Sequence, residues 1–160
     1  MFLRKERERM QYERYDFTYM ADDGLEYIFK SNGPNGEIDL IVQFTETRNP
    51  KVFNLSFGNL LANGDVDDMV KNKNQDRNKV LATVAMAAID FLSKYPEIAL
   101  TFSGSTKART RLYRMAITAN LESLREDFDL RGLTNYRDYK FIKIFSAGVN
   151  YDGFLIQKKL

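Results

Sequence analysis

From Tyr15 onward, apolar and polar positions alternate with period two. Tyr15, Phe17 and Tyr19 share one face, and Leu25, Tyr27 and Phe29 form a second set. Ile38, Leu40, Val42 and Phe44 then alternate with Glu37, Asp39, Ile41 and Gln43. Alternation of this kind is what a strand with one buried face requires. The segments Ala21-Asp22-Asp23-Gly24 and Ser31-Asn32-Gly33-Pro34-Asn35-Gly36 read as turns between them, since their residues accept a positive φ or preset a bend. Arg48-Asn49-Pro50 breaks the third strand, and Phe53, Leu55 and Phe57 make a further one that ends at Gly58. The pattern predicts an antiparallel meander of three or four strands.

The period changes after a polar connection from Asn59 to Asn78. Arg77 to Tyr95 is apolar nearly all round, through Val80, Leu81, Val84, Ala85, Ala88, Phe91 and Leu92, and reads as a helix lying close against a sheet. Asp76 stands at its N-cap position and Pro96 ends it. Ile98, Leu100 and Phe102 form a short strand. A second helix is expected from about Lys107 to Glu126, with Ala108, Leu112, Met115, Ala119 and Leu124 facing inward. Two closing segments, Tyr139 to Phe145 and Tyr151 to Gln157, read as a hairpin around a turn at Gly148 and Asn150. The expected fold is α+β: a single mixed, mostly antiparallel sheet with two main helices. If the strands around Phe53 and Phe102 are parallel neighbours, the helix between them is a right-handed crossover.

Residues 1–11 mix Arg4, Lys5, Glu6, Arg7, Glu8 and Arg9, the pattern of a charged tail or short solvated helix. Residues 12–160 then read as one α+β domain. The 160 residues hold 24 basic and 22 acidic side chains, a net charge of +2, which does not mark a strong nucleic-acid binder. Cysteine and histidine are both absent. Their absence excludes a thiolate nucleophile, a Ser-His-Asp triad and any Cys- or His-ligated metal. The longest nearly apolar run, Val80 to Leu92, is about 13 residues against the roughly 20 of a membrane span. Without an apolar leader in the first residues, a soluble cytoplasmic protein is expected, with no membrane association and no cofactor.

Chemistry concentrates in the segment from Ser103 to Arg114. A strand entering a helix through Ser103-Gly104-Ser105-Thr106 leaves backbone N–H groups at the helix start, where the dipole adds about half a positive charge. Lys107, Arg111 and Arg114 fall at i, i+4 and i+7 on one face, and Arg109 points elsewhere near the N-terminus. Together Ser103, Gly104, Ser105, Thr106, Lys107, Arg109, Arg111 and Arg114 are the candidate anion site. A plainer reading stands beside it: Ser105 or Thr106 caps the helix, and the basic residues form a solvated face or pair with Asp67, Asp68 and Asp76. Neither a Walker A loop nor a GxGxxG motif occurs. The carboxylates Asp65, Asp67, Asp68 and Asp76 fit no EF-hand spacing, so no metal is assigned. The period-two aromatics read as sheet core rather than as a base-stacking platform.

Two resemblances add to this. Phe53-Asn54-Leu55-Ser56-Phe57-Gly58, Asp67-Asp68, Lys79-Val80-Leu81-Ala82-Thr83-Val84-Ala85 and Gly104-Ser105-Thr106-Lys107-Ala108-Arg109-Thr110-Arg111-Leu112-Tyr113 resemble a family of uncharacterised small proteins from Bacteroidetes, over about residues 12–158. That family carries no assigned activity. The order of three antiparallel strands, helix, strand, helix and two closing strands is similar to the GNAT-like acyl-CoA N-acyltransferase fold. That second resemblance implies Tyr113 as a general acid. Where that fold has a glycine-containing pyrophosphate loop, the chain has Asn74-Gln75-Asp76-Arg77-Asn78-Lys79.

The expectation is a bacterial binding or accessory domain that engages a phosphate-bearing or other anionic ligand, or a partner protein, through Gly104–Arg114. A divergent acyltransferase stands as the first alternative. Nucleic-acid binding by Lys107, Arg109, Arg111 and Arg114 is the second, and it predicts affinity that falls steeply with salt.

Overall fold

A computed structural model describes residues 13–67, 74–104, 106–134 and 142–159. The charged stretch 1–11, Asp68 and Ser105 lie outside the described residues. The described elements are β1 (Phe17–Met20), β2 (Glu26–Gly33), β3 (Gly36–Glu46), β4 (Val52–Leu60), β5 (Val66–Asp67), α1 (Arg77–Lys94), β6 (Ala99–Phe102), α2 (Lys107–Ala119), α3 (Leu121–Asp127), β7 (Phe128–Leu133), β8 (Ile142–Ile144) and β9 (Gly153–Lys158).

The nine strands form one sheet in the order β1-β2-β3-β4-β6-β9-β7-β8, with β5 paired to β4. β1 through β4 are an antiparallel meander. The β2–β3 hairpin closes at Gly33↔Gly36, where Gly36 takes the positive φ of 82° that this tight turn requires. β4 and β6 are parallel neighbours joined across α1. Their register covers only Val52↔Ala99, Phe53↔Leu100 and Asn54↔Thr101, although β4 runs on to Leu60.

Alternation fills the core from one face. Tyr27, Phe29, Leu40, Val42, Phe44, Leu55 and Phe57 on the meander join Leu100, Leu130, Phe154 and Ile156 in a single buried cluster with α1. Phe91 of α1 stacks on Phe44 at 4.4 Å and 15° and packs against Phe53 and Tyr95. Tyr113 and Ile117 of α2 and Leu124 of α3 complete the cluster, so the helices form one layer on one face of the sheet. Burial of rings on this scale is the main stabilising term.

Three features depart from the sequence expectation. The second helix is two helices, α2 and α3, divided at Asn120. Asn120 folds its amide back onto the carbonyl of Ala116 at 3.0 Å and so competes with the helical ladder. The inward face of α2 is set by Thr110, Tyr113 and Ile117. Ala108 is exposed and Met115 keeps half its surface in solvent.

The closing segments are not a hairpin. β7 lies between β8 and β9 and pairs antiparallel with both, while β9 pairs with β6 on its other side. β7 has its own period-two signal, with Phe128, Leu130 and Gly132 buried and Asp129 and Arg131 exposed. Gly132 hides the signal, because the side chain covering it belongs to Tyr151: a Cβ at Gly132 would lie 2.3 Å from that ring.

Candidate functional site

α2 begins where β6 ends, and its first turn is built by short polar side chains. The Thr106 hydroxyl accepts from the Arg109 amide at 3.1 Å and is the side-chain cap. The Gly104 amide donates to the Thr110 hydroxyl at 2.9 Å, and that hydroxyl donates to the Thr106 carbonyl at 3.1 Å. Gly104 must be glycine for this loop to close. A Cβ there would lie 2.4 Å from both the Thr110 nitrogen and the Arg109 Cβ. Two of the backbone donors expected to face an anion, those of Gly104 and Arg109, are therefore taken up inside the loop. What the segment offers outward is cationic side chains.

Lys107, Arg111 and Arg114 wall a cleft of about 780 Å³ together with Gly104, Thr106 and Thr110. The facing wall is Gly148, Asn150, Tyr151 and Asp152, from the turn before β9. Tyr151 anchors that turn: its ring lies over Gly132 and its hydroxyl accepts from the Ser146 amide at 3.0 Å. Arg114 spans the cleft, donating to the Val149 carbonyl at 3.1 Å and to the Asn150 side-chain oxygen. Both acceptors are neutral, so its charge is held in place and not cancelled. Lys107 and Arg111 are exposed, and neither forms an ion pair or a side-chain hydrogen bond among the described residues. Asp152, also exposed, is the one acidic residue in the wall of this cleft among the described residues.

The remaining candidates fall elsewhere. Arg109 lies over the Phe57 ring at 5.4 Å from its centroid and does not line the cleft. Ser103 is half-buried and also does not line the cleft. Asp67 pairs β5 to β4.

Asp76 sits at the start of α1 and makes no side-chain cap for it. Its carboxylate accepts from the Tyr15 hydroxyl at 2.6 Å and the Ser31 hydroxyl at 2.5 Å. Burial and the nearby Asp76 charge hold the Tyr15 phenol above its ordinary pKa. Asp65 is tied into its own loop by Asn63. Among the described residues, no group of carboxylates is placed to hold a metal, and no helix is long and apolar enough to cross a membrane.

Tyr113 is buried, packed between Phe57 of β4 and Phe102 of β6 at 5.7 and 5.9 Å.

The opposing wall of the cleft was beyond reach of sequence reasoning. Gly148 and Asn150 were legible as a turn, but their apposition to α2 depends on β9 lying between β6 and β7.

No curated protein and no solved structure matches the chain. A family model does match, over residues 11–159, and the chain belongs to the family of unknown function DUF6934.

Proposed function

We propose that this chain is a binding domain whose cleft, between the N-terminal half of α2 and the turn before β9, takes an anionic group. One observation carries the reading: Lys107 and Arg111 have no internal partner among the described residues, yet they stand beside Arg114 over a cleft with a single carboxylate in its wall. Three cations brought this close repel one another, and an anion between them relieves that repulsion. Guanidinium groups suit phosphate and carboxylate because their planar N–H groups can bind two oxygens at once.

The test is calorimetry and thermal denaturation with phosphate, pyrophosphate and sulfate at constant ionic strength. A ligand at 100 times its Kd raises stability by about 2.7 kcal/mol. Binding that disappears in Lys107→Glu and Arg111→Glu, with the melting temperature of the free protein retained, is the expected result. No response to any anion overturns the reading.

A second reading is an acyl-transfer enzyme with Tyr113 as acid. It is favoured by the order of strands and helices and by a phenol, Tyr113, packed between Phe57 of β4 and Phe102 of β6. It requires stabilisation by acetyl-CoA, and acetyl transfer that Tyr113→Phe abolishes. Nucleic-acid binding would instead appear as affinity for oligonucleotides that is lost between low and high salt.

A further inference from the structure

Cations at one end of a ligand site say little about the rest of the ligand, but the cleft does not end at Arg114. Arg114 and Gly148 also wall a groove of about 420 Å³ between α1 and α2. Leu81, Leu112, Met115 and Ala116 supply apolar surface to that groove, and Met115 is half exposed. Leu81 and Ala116 in turn wall a cavity of about 90 Å³ beneath the helices. Every side chain around this cavity is apolar or aromatic, from Leu55 on the sheet to Ala85 and Ala88 on α1. The small side chains Ala85, Ala88 and Ala116 leave this space open, whereas protein interiors are ordinarily packed without such gaps. An apolar space of this kind stays dry and accepts an apolar guest.

We infer that the anion bound here carries a hydrocarbon tail, so that the ligand class is a single-chain amphipathic anion such as an alkyl phosphate or alkyl carboxylate. This rests on the anion reading above and extends it. The head lies against Arg111 and Arg114, and Arg77 at the start of α1 stands on the rim of the same groove. The tail follows the groove past Met115 and turns inward between Leu81 and Ala116. Charge and apolar surface are thus met by one molecule. A purely inorganic anion leaves the groove empty, and a neutral alkane leaves the cations unpaired.

The experiment titrates the full chain with inorganic phosphate, butyl phosphate, hexyl phosphate and octyl phosphate, below micelle concentrations and at constant ionic strength. Affinity is expected to rise about fourfold for each methylene that leaves water, until the groove and cavity are filled. Arg111→Glu is expected to weaken every member of the series. Ala116→Phe, which fills the junction of groove and cavity, is expected to bring octyl phosphate down to the level of inorganic phosphate and leave the latter unchanged. Met115→Gln, a neutral polar change on the exposed wall, makes the same test without loading the core and should act in the same direction. Equal affinity across the series, with phosphate still bound, overturns the tail and leaves the anion reading standing. Chain-length dependence that neither groove variant reduces overturns the proposed path. Silence toward phosphate and all alkyl phosphates overturns both.

Discussion

The starts of α1 and α2 carry similar residues and use them in opposite ways. At the N-terminus of α1 and along the helix, the described carboxylates Asp76 and Asp90 both have internal partners. Asp76 receives the hydroxyls of Tyr15 and Ser31, and Asp90 receives the hydroxyl of the fully buried Tyr27 and the Lys94 ammonium at 3.3 Å. Asn74 extends this network, donating to Ser31 at 3.0 Å and to the Gly36 carbonyl at 2.9 Å while accepting from the Asn35 amide at 2.8 Å. These bonds tie α1 and its preceding connection to the β2–β3 hairpin, and they use up the carboxylates there. At the N-terminus of α2 the short polar side chains also close on themselves, yet Lys107 and Arg111 remain unmatched. Charge that completes the fold is silent toward ligands. Charge that the fold orients but does not neutralise is what a binding surface needs.

That contrast can be broken at four places. The largest effect is expected at Gly104, where the Cβ of valine would collide with the backbone of Thr110 and the Cβ of Arg109. Gly104→Val should cost about 3 kcal/mol, measured by urea denaturation, because neither neighbour can move without unwinding the first turn of α2. Asp76→Ala comes next. It leaves the Tyr15 and Ser31 hydroxyls without their acceptor, and a loss of about 2 kcal/mol is expected. A neutral result would show that the α1 end is as dispensable as a solvated face.

Tyr27→Phe removes one bond to a carboxylate and should cost about 1.5 kcal/mol at neutral pH. It should also change the response to alkali. Burial, then the adjacent Asp90, raises the Tyr27 pKa well above its ordinary value. Below about pH 10 the phenol is protonated in both folded and unfolded chains, and its contribution is present in full. Above that the unfolded chain releases the proton and the folded chain keeps it, so stability falls as pH rises. The Phe variant should lose less stability between pH 9 and pH 11 than the parent. Tyr15 and Lys30, raised in the same direction, add to the slope.

Smallest of all should be Lys107→Ala and Arg111→Ala, each within about 0.5 kcal/mol of the parent. If either costs as much as Asp76→Ala, the cations at α2 are structural after all, and the contrast between the two helix starts collapses.

How far the sequence alone reached is visible element by element. Alternation from Ile38 to Phe44 determined a half-buried strand, and the apolar run before Pro96 determined a helix that ends within a residue of its expected limit. The i, i+4, i+7 spacing of Lys107, Arg111 and Arg114 determined that the three share a face, and they do line one cleft. Local rules suffice there because periodicity and backbone geometry act over a few residues. Tertiary structure decided everything that depended on a distant partner. Met115 was expected to face inward, and Tyr113 holds the inward face instead, because Phe57 and Phe102 leave room for a ring beneath α2. β7 stayed hidden because Gly132 borrows its apolar cover from Tyr151. Asp76 suits an N-cap by residue type, but two hydroxyls from elsewhere in the chain converge on its Oδ2 instead. The wall of the cleft opposite Arg111 exists only because β9 inserts between β6 and β7 and carries the Gly148–Asp152 turn to α2. Side-chain type fixes what a residue can bond to, and which bond it makes is settled by neighbours that the chain brings from far along its length.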